Sequence, residues 1–191
     1  MVRNAINQTD YDLVDFLTVK GKIGGKDIKY LKDQAGFVSQ LQYLDLSEVE
    51  LVYDDEAYSS VTVSDKGPED IAQGIVNYTT TYHTLSAENK DEAGQGGAFD
   101  GTSTYSVVYC RRNDLSFAFN SMKSLKQIKL PKTLKGLGEG ILENCEVLEK
   151  VTFPDAATYI GAYALLNETS DFNTMLRRTL KGVDLPASIT K

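Results

Sequence analysis

The 191-residue chain contains no tryptophan, a single histidine (His83), two cysteines (Cys110 and Cys145) and four prolines. A zinc site normally takes four Cys or His ligands, or three and a water, so this stock of soft ligands argues against zinc chemistry. One histidine leaves a Ser-His-Asp triad a single choice of base, and no serine sits in a G-x-S-x-G elbow. No apolar run approaches the roughly 18–20 residues of a spanning helix. The opening segment Met1 to Asp10 lacks the basic, then apolar, then small-residue order of an export signal. Excess positive charge is missing too: 20 Lys and Arg stand against 27 Asp and Glu, a net charge of −7. That balance repels phosphate backbones, and nucleic acid is not an expected partner.

What is present is a soluble, foldable composition, 41% hydrophobic, and a repeat. The segment Leu125-x-x-Ile128-x-Leu130-Pro131 returns as Leu148-x-x-Val151-x-Phe153-Pro154 and as Leu180-x-x-Val183-x-Leu185-Pro186. The first interval is 148 − 125 = 23 residues and the second is 180 − 148 = 32, which places a nine-residue insertion between Asn167 and Arg178. Leu137-Gly138 recurs as Ile160-Gly161, and Ala118-Phe119, Ile141-Leu142 and Ala164-Leu165 keep the same frame. In each I-x-L triplet the outer two side chains share one strand face and the middle one takes the other. Ile128, Leu130, Val151, Phe153, Val183 and Leu185 are therefore expected in a core, with Lys129, Thr152 and Asp184 exposed in one row. Proline ends each strand because it has no amide to donate. Gly138 and Gly161 are expected to supply a second bend at positive φ. A unit this small cannot bury its apolar side alone, so successive units must stack.

The first half carries a looser form of the same signal in Val14-x-x-Leu17-x-Val19 and Leu41-x-x-Leu44-x-Leu46. Between them Asp27 can cap a short helix with Ile28, Leu31 and Ala35 on one side, closed by Gly36. From about Tyr53 to Tyr109 the frame is lost in polar, turn-forming sequence. This stretch reads as a long irregular insertion, part loop and part short strand, in which Val61 and Val63 or Val107 and Val108 can add edge strands. The expected organisation is a single domain: cap and first repeats over 1–52, the insertion over 53–114, and three repeats over 115–191.

The 23-residue unit, with Cys145 in frame opposite Met122, resembles the BspA-type leucine-rich repeat found in bacterial surface proteins. Leu17 to Ile23, Asp27 to Leu31 and Leu44 to Val49 resemble the cap that precedes such repeats. The resemblance covers roughly residues 13–52 and 115–191. It implies an α/β leucine-rich-repeat solenoid, a right-handed stack of short parallel strands with short helical or irregular outer segments. It also implies export, display at the cell surface, and a binding or adhesive role with no catalytic residues and no cofactor.

Chemical motifs weigh little beside the repeat. Gly21 to Asp27 is a phosphate-loop near-miss: it has three residues between its glycines instead of four, and Asp27 where a hydroxyl is needed. Gly94, Gly96, Gly97 and Gly101 lack the strand and helix of a dinucleotide site and read as loop. His83 lies in a β-prone polar run and reads as a surface or loop residue. The acidic groups Asp10, Asp12, Asp15 and Asp54, Asp55, Glu56 lack calcium-loop geometry and read as solvated surface. Cys145 is expected as a buried thiol, with Cys110 out of frame for a bridge. Tyr78, Tyr82, Tyr105 and Tyr109 read either as a sugar-stacking platform or as a cover for the core.

The expected function is noncatalytic recognition of an extracellular protein or glycan by the outward strand positions Lys126, Gln127, Lys129, Lys150, Thr152, Lys181 and Asp184. The rival readings are a structural spacer within a larger surface protein and a glycan-active enzyme using the acidic groups.

Overall fold

The computed structural model describes residues 14–36, 40–65, 77–99, 103–167 and 185–190. Four parallel strands form one sheet in the order β1 (Phe16–Ile23), β2 (Tyr43–Leu51), β8 (Gln127–Lys129), β9 (Lys150–Thr152). Its register aligns Leu17, Leu44, Ile128 and Val151 in one inward row. Leu46, Leu130 and Phe153, two residues on, are buried as well. This is a solenoid, and the two degenerate copies of the motif in the first half are its first two turns.

The backbone repeats with the sequence. The amides of Gln42 and Tyr43 both donate to the Asp15 carbonyl; Lys126 and Gln127 both donate to Gln42, and Glu149 and Lys150 both donate to Lys126. On the other side of the stack the amides of Phe117, Phe119 and Ser121 reach the carbonyls of Glu139, Ile141 and Glu143, and those of Gly140, Leu142 and Asn144 reach Ala162, Ala164 and Leu166. The outer segments are thus irregular in dihedral angles but regular in pairing, which satisfies their buried polar groups. The nine-residue insertion is visible in the same bonds. The Thr158 amide reaches back 23 residues to Lys135, whereas the Thr190 amide reaches back 32 to Thr158. Pro131, Pro154 and Pro186 each accept an amide three residues on.

Three expectations are corrected. Gly138 and Gly161 are not at positive φ, although Leu115 one turn earlier is (56°); two places further along the frame Phe117 (φ 57°), Gly140 (55°) and Tyr163 (58°) are all left-handed. Gly138 is glycine because neighbouring turns touch there: a β-carbon would lie 2.5 Å from the Ser116 amide nitrogen and 2.7 Å from the Asp114 carbonyl oxygen. Leu185, expected in the core, is 53% exposed. Leu130 is held between flanking turns, whereas Leu185 belongs to the last described unit. Val183 and the other strand residues of that unit lie outside the described residues, as do Lys181 and Asp184.

The third correction concerns the extent of the insertion's structure: strands do run through Val61 and Val63 and through Val107 and Val108, but as members of a larger sheet. The insertion forms a second sheet, β3 (Ala57–Asp65), β4 (Asn77–Leu85), β7 (Ser103–Cys110) and β5 (Glu92–Ala93), with β6 (Gly97–Ala98) also on β7. Because β2 pairs directly with β8, the solenoid closes beneath this sheet as if it were absent.

Helix α1 (Gly25–Gly36) crosses from β1 to β2 with Ile28 and Leu31 buried. Asp27 sits in its first turn and accepts the Gly24 amide, while Asp54, 28 residues away, accepts the Lys26 amide. The helix start is therefore capped largely from a distance.

Gly138→Ala should cost about 1–3 kcal/mol, as overpacking does, read as a lower urea midpoint. A variant as stable as the parent would show that neighbouring turns are not in contact at that position.

Candidate binding surfaces

Two outward rows run across the first sheet. One is Phe16, Tyr43, Gln127 and Lys150; the other is Thr18, Asp45, Lys129 and Thr152. Lys129, Lys150 and Thr152 are exposed, and Lys126 and Gln127 are half-buried at the strand entry. Sequence reasoning missed the partners of these residues. Lys129 Nζ lies 2.7 Å from Asp45 Oδ2, and Lys20 and Lys22 of β1 reach Glu48 and Glu50 of β2 at 2.8 and 3.9 Å. Of the lysines expected on this face Lys129 is thus charge-matched, and the pairs of Lys20 and Lys22 carry the same pattern onto β1. It also missed Phe16, 59% exposed, whose ring centre stands 6.2 Å from that of Tyr43.

Burial on its own would raise the Asp45 carboxyl, but hydrogen bonds from Lys129 and Ser47 outweigh it and bring the group to about 2. A depressed carboxyl stabilises the fold above its ordinary range and loses that contribution as pH falls through the folded-state value. Lys129→Ala should return Asp45 toward the ordinary 3.8, read by carboxyl-carbon NMR titration. A carboxyl that stays near 2 in the variant would contradict this ion pair.

The second sheet meets the solenoid through buried groups. Tyr58 donates from its hydroxyl to the Ser116 carbonyl at 2.7 Å, and the His83 ring lies 4.7 Å from Phe117 and 6.4 Å from Tyr58. Lys32 of α1 donates to Ser59 Oγ (2.6 Å), the Phe117 carbonyl and Asn120 Oδ1, tying helix, sheet and repeat together. Asp114 falls where the frame puts Leu137 and Ile160. It is buried, with Arg111 Nη2 at 2.8 Å and the Tyr159 hydroxyl donating at 3.0 Å, while Arg111 Nε reaches Asp91 at 2.8 Å. Burial raises the Asp114 carboxyl against the pull of Tyr159 and Arg111.

His83 is corrected from a surface residue to a buried one, 5% exposed. Desolvation, then the Lys32 charge, lowers it to about 4. The unfolded chain takes up the proton first as pH falls below 6.5, so stability is complete above 6.5 and declines toward 4. His83→Phe should remove this component from urea unfolding compared at pH 7 and 5. An unchanged difference between the two pH values would show that His83 is not the group responsible.

Of the acidic residues, Asp10 and Asp12 lie outside the described residues. Asp54 serves the helix, and Glu56 pairs with Lys29 at 3.6 Å. Among the described residues no three His, Cys, Asp or Glu gather as metal ligands, and no helix is long and apolar enough to cross a membrane. Cys110 and Cys145 are buried free thiols, pushed by burial to about 11 and about 12.

A parallel-strand solenoid with a 23-residue unit and irregular outer segments is a leucine-rich-repeat architecture. Residues 115–187 match the family model described as "BspA type Leucine rich repeat region (6 copies)". A search of curated proteins finds no match.

Proposed function

We propose that the protein is a noncatalytic recognition module of a bacterial cell-surface protein, acting outside the cell. Its strand face takes an extended protein or glycan ligand. Repeats of this type are typical of surface proteins and generally noncatalytic. The observation that carries the reading is the strand face itself, where Phe16 and Tyr43 stand beside Gln127 and Lys150 in a continuous outward row. Stacked strands give a rigid surface on which side chains change without disturbing the core. Exposed aromatic residues supply contact area at small entropic cost. Lys126 and Thr152 extend the contact along the stack, with Lys129 presented through its pair with Asp45; Lys181 and Asp184, expected on this face from the repeat, lie outside the described residues.

The test is capture on an array of extracellular-matrix proteins and surface glycans. The parent should bind a defined subset. Tyr43→Ala and Lys150→Glu should each lose that subset while keeping the parent's circular dichroism. Added salt should weaken capture, because exposed charges such as Lys150 are screened over about 8 Å, while Lys129 is already paired with Asp45. Unchanged capture by both variants would contradict a strand-face site.

A further inference from the structure

The second sheet has a face that the repeat architecture does not require. The parallel register of β4 and β7 sets Tyr78, Thr80 and Tyr82 beside Ser103, Tyr105 and Val107, with Tyr109 further along, so all four tyrosines lie on one side. On the other side His83, Leu85 and Cys110 are buried, and Thr79 with Thr104 and Thr81 with Ser106 close hydrogen bonds of 3.1 Å. The tyrosine side carries Ser60 and Thr62 of β3 at one edge. At the other edge Glu92 is its one charged residue among the described strand positions.

Two glycines set the ring orientation. A β-carbon on Gly94 would lie 2.8 Å from Tyr109 Cε2, and one on Gly97 would lie 2.9 Å from Tyr105 Cε1. The rings of Tyr109 and Tyr105 therefore fold down over backbone that has no side chain. Phe99, 61% exposed, packs against Tyr105 at 4.8 Å between ring centres. Tyr78 is 42% exposed. Tyr82 and Ser60 continue the face into a cleft of about 410 Å³, whose far wall holds the charged residues Lys29, Lys32 and Glu56 beside Asn120.

We propose that this face, with its cleft, is a second binding site that takes a neutral glycan chain. Rings lying flat on a sheet offer their faces to the C–H side of a sugar ring, and phenol, serine and threonine hydroxyls serve its alcohol groups. The strand positions of the face carry little charge, and in the cleft Lys29 is paired with Glu56 at 3.6 Å while Lys32 is held by Ser59, the Phe117 carbonyl and Asn120, which disfavours ionic recognition of an acidic polymer. Tyrosines four residues apart on a strand stand roughly 13 Å from one another, a span that suits a chain and not a single sugar.

Affinity electrophoresis of the full chain in gels containing xyloglucan, galactomannan or soluble β-1,3-glucan tests this, with hyaluronan as the acidic control. At least one neutral polysaccharide should retard the protein, and salt should not matter. Tyr78→Ala, at an exposed position that leaves the core intact, and Tyr82→Ala should each weaken retardation on the order of tenfold. Tyr82→Phe should keep most of it, and Lys150→Glu on the strand face should leave it unchanged. Absence of retardation in all three gels, retention by folded Tyr78→Ala and Tyr82→Ala proteins, or binding of hyaluronan alone would overturn the proposal. Loss with Lys150→Glu would overturn it in favour of the strand face.

Discussion

The structure depends on the bond between one turn and the next. A 23-residue unit here has two or three inward apolar residues on its strand and a pair on its outer segment, too few to keep it folded alone. Stacking buries Leu44, Ile128 and Val151 in a continuous row. The row holds its spacing because successive amides donate to a carbonyl one unit away. Burial supplies most of the driving force, and the backbone bonds set where each side chain lands. Gly138 records how tight the fit is, since the turn before it leaves no volume for a methyl group.

The solenoid was legible in the sequence because each strand carries a period of two inside a repeat of 23, and its inward residues are large and apolar. Its continuation across the insertion was implied by the single-domain reading, but the direct pairing of β2 with β8 was not, since Leu44 and Ile128 are 84 residues apart. The inserted sheet was the least legible element. Its strands hold tyrosine, threonine and serine on both faces, so no apolar stripe marks them; pairs such as Thr62 with Thr80 at 3.0 Å join them instead. The distant capping of α1 by Asp54 was hidden for the same reason. So was the charge-matching of Lys129 by Asp45, because neither pair has a local signature.

Joining the two sheets sets polar residues among the apolar ones. Asp114 occupies a position that is leucine or isoleucine in the next two turns, and Arg111 and Tyr159 compensate its burial, with Arg111 held in turn by the solvent-facing Asp91. His83 is kept neutral between aromatic rings. Such groups cost stability unless satisfied. Their concentration at one junction fixes how the second sheet stands on the solenoid, and with it the position of the tyrosine face relative to the strand face.

The central claim is that the solenoid runs unbroken beneath the inserted sheet, β2 lying directly against β8. Long-range nuclear Overhauser effects measured on labelled full-length protein test it most directly. The account predicts contacts between the backbone protons of Gln42 to Asp45 and those of Lys126 to Lys129, in the parallel pattern. Finding instead that β2 contacts β3 or β4 at these positions, with none to residues 126–129, would contradict it.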